Sequence, residues 1–171
     1  MPQFKTSRRV HHSADNMFAL VADVESYPEF VPLCQSLEVR SRKNEGGRDV
    51  ITATMTVAYK VLRESFTSRV ALNPEAREIH VAYLDGPFRY LENVWQFRPV
   101  GETGCEVGFS IAYEFRSRLL QGLMGAVFDK AFRKFSAAFE KRADEIYGRQ
   151  QEGEGGEASG AVKASPPASA S

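Results

Sequence analysis

Hydrophobic and polar residues follow two rhythms along this chain, and the switch between them outlines a fold. From about Leu37 to Phe115 the period is two. Cys105, Val107, Phe109, Ile111, Tyr113 and Phe115 alternate with Glu106, Gly108, Ser110, Ala112 and Glu114, which predicts a strand with one buried face. The same alternation puts Ile51, Ala53, Met55, Val57 and Tyr59 on one face of another strand. It does the same for Phe66, Ser68, Val70 and Leu72, and for Leu91, Trp95 and Phe97. Turn formers at Asn44-Glu45-Gly46-Gly47, Asn73-Pro74, Asp85-Gly86-Pro87 and Gly101-Glu102-Thr103-Gly104 separate the runs. A meander of about six strands follows, preceded by a first strand over Phe4 to His12.

Two stretches carry the helical period instead. Ser13 offers an N-cap hydroxyl and Asp15 a first-turn carboxylate ahead of Met17, Leu20, Val21 and Val24, which recur at helical spacing. Tyr27-Pro28 is expected to break that helix, and Pro28 to open a second short turn over Glu29-Phe30-Val31 that Pro32 stops. Arg118 to Tyr147 reads as one long helix. Along it Met124, Phe128, Ala131, Phe132, Phe135, Phe139, Ala143 and Ile146 fall within an arc of about 120°, with Lys130, Lys134 and Lys141 opposite. A stripe of four phenylalanines on one helix is more often plain core than a ligand wall, and the sequence alone does not separate the two. The order of elements predicts an α+β fold in which a curved antiparallel sheet of about seven strands is covered by the last helix, leaving room for an apolar cavity.

Composition narrows the function. Lys plus Arg and Asp plus Glu both number 22, so the formal charge is zero and no strongly basic surface announces DNA or another polyanion. Cys34 and Cys105 lack the spacing of a zinc or dithiol motif and are expected to be core thiols. His11 and His12 are adjacent on a strand and point to opposite faces, and His80 is remote, so no metal site is expected. Asp85 and Glu92 beside a Gly-Pro turn read as solvated turn formers, not as an acid–base pair. Pro2 to Arg9 contains no apolar h-region, and no run approaches the ~20 apolar residues of a membrane span, so a cytoplasmic protein is expected. Residues 1–147 form the folded domain in this reading, and 148–171, rich in Gly, Ala, Ser, Glu and Pro, a disordered tail.

Val21-Ala22-Asp23-Val24 with Tyr27-Pro28-Glu29-Phe30-Val31-Pro32-Leu33-Cys34, then Asp85-Gly86-Pro87-Phe88 leading to Leu91, Trp95 and Phe97, then Tyr113-Glu114-Phe115-Arg116-Ser117 resemble one family in order and spacing. These segments are similar to the coenzyme Q-binding proteins and the related ribosome association toxins of the START-like helix-grip superfamily. The resemblance implies a seven-stranded sheet gripping the final helix, and an apolar tunnel that in the quinone-binding branch holds ubiquinone for respiration as a bound ligand, with no other cofactor and no catalytic residue. It places Phe30 and Val31 at the cavity, together with Phe128, Phe132 and Phe135 of the helix stripe. The inward-facing Trp95 and Phe109 join them as candidates. Leu33 stands where many members carry tryptophan, so the width of that end does not carry over.

A gate is expected where the Pro87-Phe88 loop meets the start of the last helix. There Gly122 and Gly125 interrupt Leu119, Leu120, Leu123 and Met124 and lower the cost of local opening. Leu123 lies on the same side as the lysines, so this tip suits transient contact with an anionic inner membrane surface. Two rival readings come with the resemblance. In the bacterial toxin branch the implied partner is the large ribosomal subunit, with Lys130, Arg133, Lys134 and Lys141 available to phosphates. The polyketide cyclases of the same superfamily are enzymes.

Overall fold

The structure, a computed structural model, describes residues 3–148. Apart from Gly148, the expected tail lies outside the described residues, as do Met1 and Pro2. Seven strands run in chain order: β1 (Gln3–Val10), β2 (Cys34–Glu45), β3 (Arg48–Tyr59), β4 (Leu62–Asn73), β5 (Glu78–Asp85), β6 (Phe88–Val100) and β7 (Gly104–Phe115). They form one antiparallel sheet ordered β1-β7-β6-β5-β4-β3-β2. Six of them form the expected meander, and β1 joins at the far edge by pairing Phe4 with Ile111 and Val10 with Cys105.

Period-two patterning sets which face is covered. Along β7 every second residue from Cys105 to Phe115 is buried, as a strand with one face on a core requires. The cover is α2 (Arg118–Tyr147), the long helix expected at those bounds. Ser117 caps it by accepting from the Leu119 and Leu120 amides at 3.1 and 3.2 Å. Gly148, at φ 76°, ends it by donating to Asp144 O at 2.9 Å, a left-handed position that glycine takes without strain. The apolar stripe is buried from Met124 to Ala143 except for the partly buried Phe135, and Ile146 is half exposed. The last turn docks on the short helix through Tyr147, whose hydroxyl donates to Asn16 O at 3.1 Å.

Between β1 and β2 the sequence reading needs one correction. Ser13 caps α1 (Ala14–Ala22) as expected, accepting from Asn16 N at 3.0 Å. The helix then stops at Asp23, before Val24, and the following 3-10 helix covers Val24–Glu29 with Pro28 inside it. Asp23 supplies the reason. Its carboxylate accepts from Ser26 Oγ at 2.6 Å and its carbonyl from Ser26 N at 3.2 Å, so a local side-chain bond competes with helix continuation. Glu29-Phe30-Val31 is consequently an exit from the 3-10 helix and not a turn of its own.

Helix α2 packs on β7, β1 and α1. The inner faces of β3, β4 and β5 lie away from it, and that separation opens the interior.

Candidate functional site

A cavity of about 90 Å³ lies between α2, the 3-10 helix and the inner face of the sheet. Its walls take Val24 and Tyr27 from the 3-10 helix, Ala53, Met55 and Val57 from β3, Phe66, Ser68 and Val70 from β4, Leu91, Asn93 and Trp95 from β6, and Phe128, Ala131, Phe132, Phe135 and Phe139 from α2. Side chains alternate across a strand and recur every three to four residues on a helix, so the two periods read from the sequence converge on one space. Ligand pockets commonly measure ~300–1,000 Å³, so a ligand of that size would need these walls to part.

Of the expected cavity residues, Trp95, Phe128, Phe132 and Phe135 line it. Phe30, Val31 and Phe109 do not, and packing explains each. Phe109 sits where α2 approaches β7, wedged against Trp95 at 4.7 Å and Phe135 at 5.9 Å between ring centroids. Phe30 stacks edge-on to Phe139 at 4.9 Å, beneath the Arg142 guanidinium. Val31 is buried, and its carbonyl accepts from Cys34 N at 3.1 Å, closing a tight turn. All three form the layer behind the wall.

That turn, Val31-Pro32-Leu33-Cys34, holds Leu33 at φ 68°. A proline followed by a left-handed residue is type II turn geometry, which favours glycine at the second place. Leucine there costs roughly 1–2 kcal/mol and lines the cavity. Backbone strain of this kind collects at ligand-holding sites.

The expected gate divides. Arg116 ties the β5–β6 loop to the start of α2, donating its amide to Pro87 O at 2.8 Å and its Nε to Phe88 O at 3.3 Å, so loop and helix end do meet. Phe88 is a correction to the expected membrane contact: it is 0% exposed, packed against Phe66, Tyr83, Phe115 and Phe128. Gly86 beside it has φ 142°, and a Cβ there would stand 2.6 Å from Phe66 Cβ, so the loop is clamped onto β4. Leu119 and Leu123 are exposed and Leu120 half-buried. Gly122 is open and Gly125 buried, with the Tyr113 hydroxyl donating to Gly125 O at 3.4 Å. Neither Pro87, Phe88 nor these helix-start residues touch the cavity.

Exposed large apolar side chains gather at this same end of the sheet. Tyr59 and Val61 sit on the β3–β4 hairpin, Leu84 near the end of β5, and Leu119 and Leu123 at the start of α2. Val61 is 96% exposed. Among the described residues no helix is long and apolar enough to cross a membrane.

The polar groups of the wall are few. Tyr27 turns its hydroxyl away, donating to Val21 O at 2.6 Å. Burial pushes its pKa far up, reinforced by Cys34 and Asp23. Asn93 donates from Nδ2 to Ser110 O at 2.9 Å. Ser68 Oγ is buried without a hydrogen-bond partner, which costs ~1–3 kcal/mol. Sequence reasoning put Ser68 on the inward face but drew nothing from it. It passed over Asn93, although a polar residue between Leu91 and Trp95 breaks an apolar stripe.

The two thiols are core groups, as expected, and burial pushes both up to about 11. The sequence placed His11 and His12 on opposite faces without saying which is buried, and it is His12 that turns inward. It is 2% exposed and bonded through Nε2 to Asp144 Oδ1 of α2 at 2.7 Å.

Known proteins agree with this architecture. A family model described as polyketide cyclase / dehydrase and lipid transport matches residues 10–140. The ribosome association toxin RatA of Escherichia coli K12 is 34% identical over 147 residues, 86% of this chain and 90% of that protein. The coenzyme Q-binding protein COQ10 homolog B, mitochondrial, of Xenopus laevis is 33% identical over 154 residues, and this chain spans 61% of its length. The solution structure of the 18 kDa protein CC1736 from Caulobacter crescentus is 35% identical, with a TM-score of 0.70 over 86% of this chain and 99% of that one. A START superfamily protein from Mycobacterium smegmatis shares the fold, with a TM-score of 0.70 at 18% identity. The helix-grip α+β architecture is therefore START-like, and the chain belongs to the polyketide cyclase / dehydrase and lipid transport family.

Proposed function

We propose that this chain binds an isoprenoid quinone such as ubiquinone, or a lipid of similar shape, in the cavity beneath α2 and carries it unchanged. One observation carries the reading: the wall is almost wholly apolar, and the carboxylates, histidines and lysines of acid–base chemistry are absent from its lining. Loading takes place at a membrane surface in this reading. Val61, Leu84, Leu119 and Leu123 gain from leaving water at the end where loop and helix start meet, and exposed Lys130 and Lys134 follow on the helix face that carries Leu123. The name of the coenzyme Q-binding relative supports the ligand class.

A second reading, binding to the large ribosomal subunit, is favoured by the names of the RatA relatives and by Lys130, Lys134 and Lys141, which lie exposed along one side of α2. Arg133 contributes less to it, since its guanidinium is engaged by Asp129 at 3.0 Å and by the Phe4 ring. Native mass spectrometry of protein purified from its own host separates the two. A bound quinone is expected. Protein of bare polypeptide mass that pellets with large subunits in a salt-dependent way would replace the carrier by the ribosome reading.

A further inference from the structure

We propose that Ser68 and Asn93 are the polar pair of this cavity wall and select an amphiphile whose head carries a carbonyl or hydroxyl oxygen. The inference rests on the carrier reading and says how the ligand is oriented and chosen. Both residues stand on the concave face, Ser68 on β4 and Asn93 on β6, with one strand between them. Val81 of that strand pairs with Asn93 on one side and with Val70, two residues along from Ser68, on the other. Ser68 is 6% exposed, its Oγ has no partner, and it lines the cavity. Its cross-strand neighbour on β3 is Ala53, a side chain too small to fill the space before it.

A buried hydroxyl that donates to nothing in the protein is rare. Ser68 belongs to the cavity wall, so an oxygen of a molecule held against that wall would supply the missing partner. Asn93 is already held by its bond to Ser110 O, which fixes the amide and leaves its carbonyl oxygen as an acceptor. Together the two residues offer a donor and an acceptor among rings and aliphatic groups. A molecule that is hydrocarbon throughout leaves both unmet, whereas a quinone or quinol head meets Ser68 with a carbonyl or Asn93 with a hydroxyl.

The test uses Trp95, the single tryptophan of the chain, as a reporter inside the cavity wall. A short-tailed ubiquinone analogue is titrated against its fluorescence, and the matching isoprenoid hydrocarbon without oxygen is measured by displacement. Wild-type protein is expected to prefer the quinone, and Ser68→Ala to weaken quinone binding about tenfold, or ~1.4 kcal/mol, with hydrocarbon binding unchanged. Ser136→Ala serves as the control, because Ser136 Oγ is likewise buried and unpartnered but lies outside the cavity lining. It should leave both affinities alone. Equal affinities in wild type, or a Ser68→Ala protein that keeps its preference, would overturn the proposal while leaving the carrier in place. Failure of wild type to bind either molecule would remove the carrier and this inference together.

Discussion

The two halves of α2 are held by different physics. From Phe135 onward the helix is tied to β1, to the segment that follows it and to the 3-10 helix. Glu140 pairs with Arg8 of β1 at 2.6 Å, Asp144 with the buried His12 that follows β1, and Arg142 with Glu29 of the 3-10 helix. Phe139 sits among Tyr27, Phe30 and Trp95 with centroids 4.9–5.3 Å away. The first half has ring packing on one side, through Phe128 and Phe132, and on the other side Gly122 and the exposed Leu119 and Leu123. Local opening is cheapest where few directional contacts must break and backbone entropy is highest. The contrast makes the far half of the helix the more firmly anchored of the two.

The largest effect expected from this difference is in the anchor. Phe139→Ala should cost ~3–5 kcal/mol, as for a ring removed from a packed core, while Leu123→Ala in the first half should stay within about 0.5 kcal/mol. Urea midpoints of the two variants measure this. Equal losses would erase the distinction between the halves.

Alkali separates them next. Tyr113 underlies the first half, and burial is the main cause that pushes its pKa up from 10.0 to about 12, with a smaller push from Asp129 that Arg133 opposes. Tyr27, beneath Phe139, is pushed further in the same direction. A group raised on folding gives stability that is whole below its unfolded value and lost as pH climbs to its folded one. Stability should therefore fall between about pH 10 and 12, and Tyr113→Phe should flatten that fall. A profile unchanged by Tyr113→Phe would assign the loss elsewhere, with the buried thiols, raised to about 11, as the next groups to substitute.

The smallest effect concerns the glycines of the first half. Gly122→Ala meets open space, and Gly125→Ala meets only the end of the Gln121 side chain, which can swing aside. Each should stabilise the protein by up to about 1 kcal/mol. Together they should slow quinone transfer between labelled vesicles. Unchanged transfer in a stabilised double variant would leave these glycines as packing residues.

How much of this was legible depends on which quantity was asked for. The alternation along β7 and the stripe of α2 announced their elements and inner faces, because burial on one side forces a period. Curvature leaves no such mark. Phe109 and Met55 both face inward, but β7 lies against α2 and β3 does not, so one is wedged among rings and the other borders the cavity. Phe88 was read as a loop tip from its Gly-Pro neighbours, while the packing of that loop on β4 depends on a close approach at Gly86 that periodicity does not register. Ser68 and Asn93 were visible as polar residues at apolar positions. Their meaning needed the space in front of them.

The central claim, that the space under α2 is a quinone site, is tested most directly by titrating wild-type protein with a short-tailed ubiquinone analogue and following Trp95. Occupancy of the cavity predicts quenching that saturates at one equivalent. Quenching that rises in proportion to added quinone without saturating would contradict it.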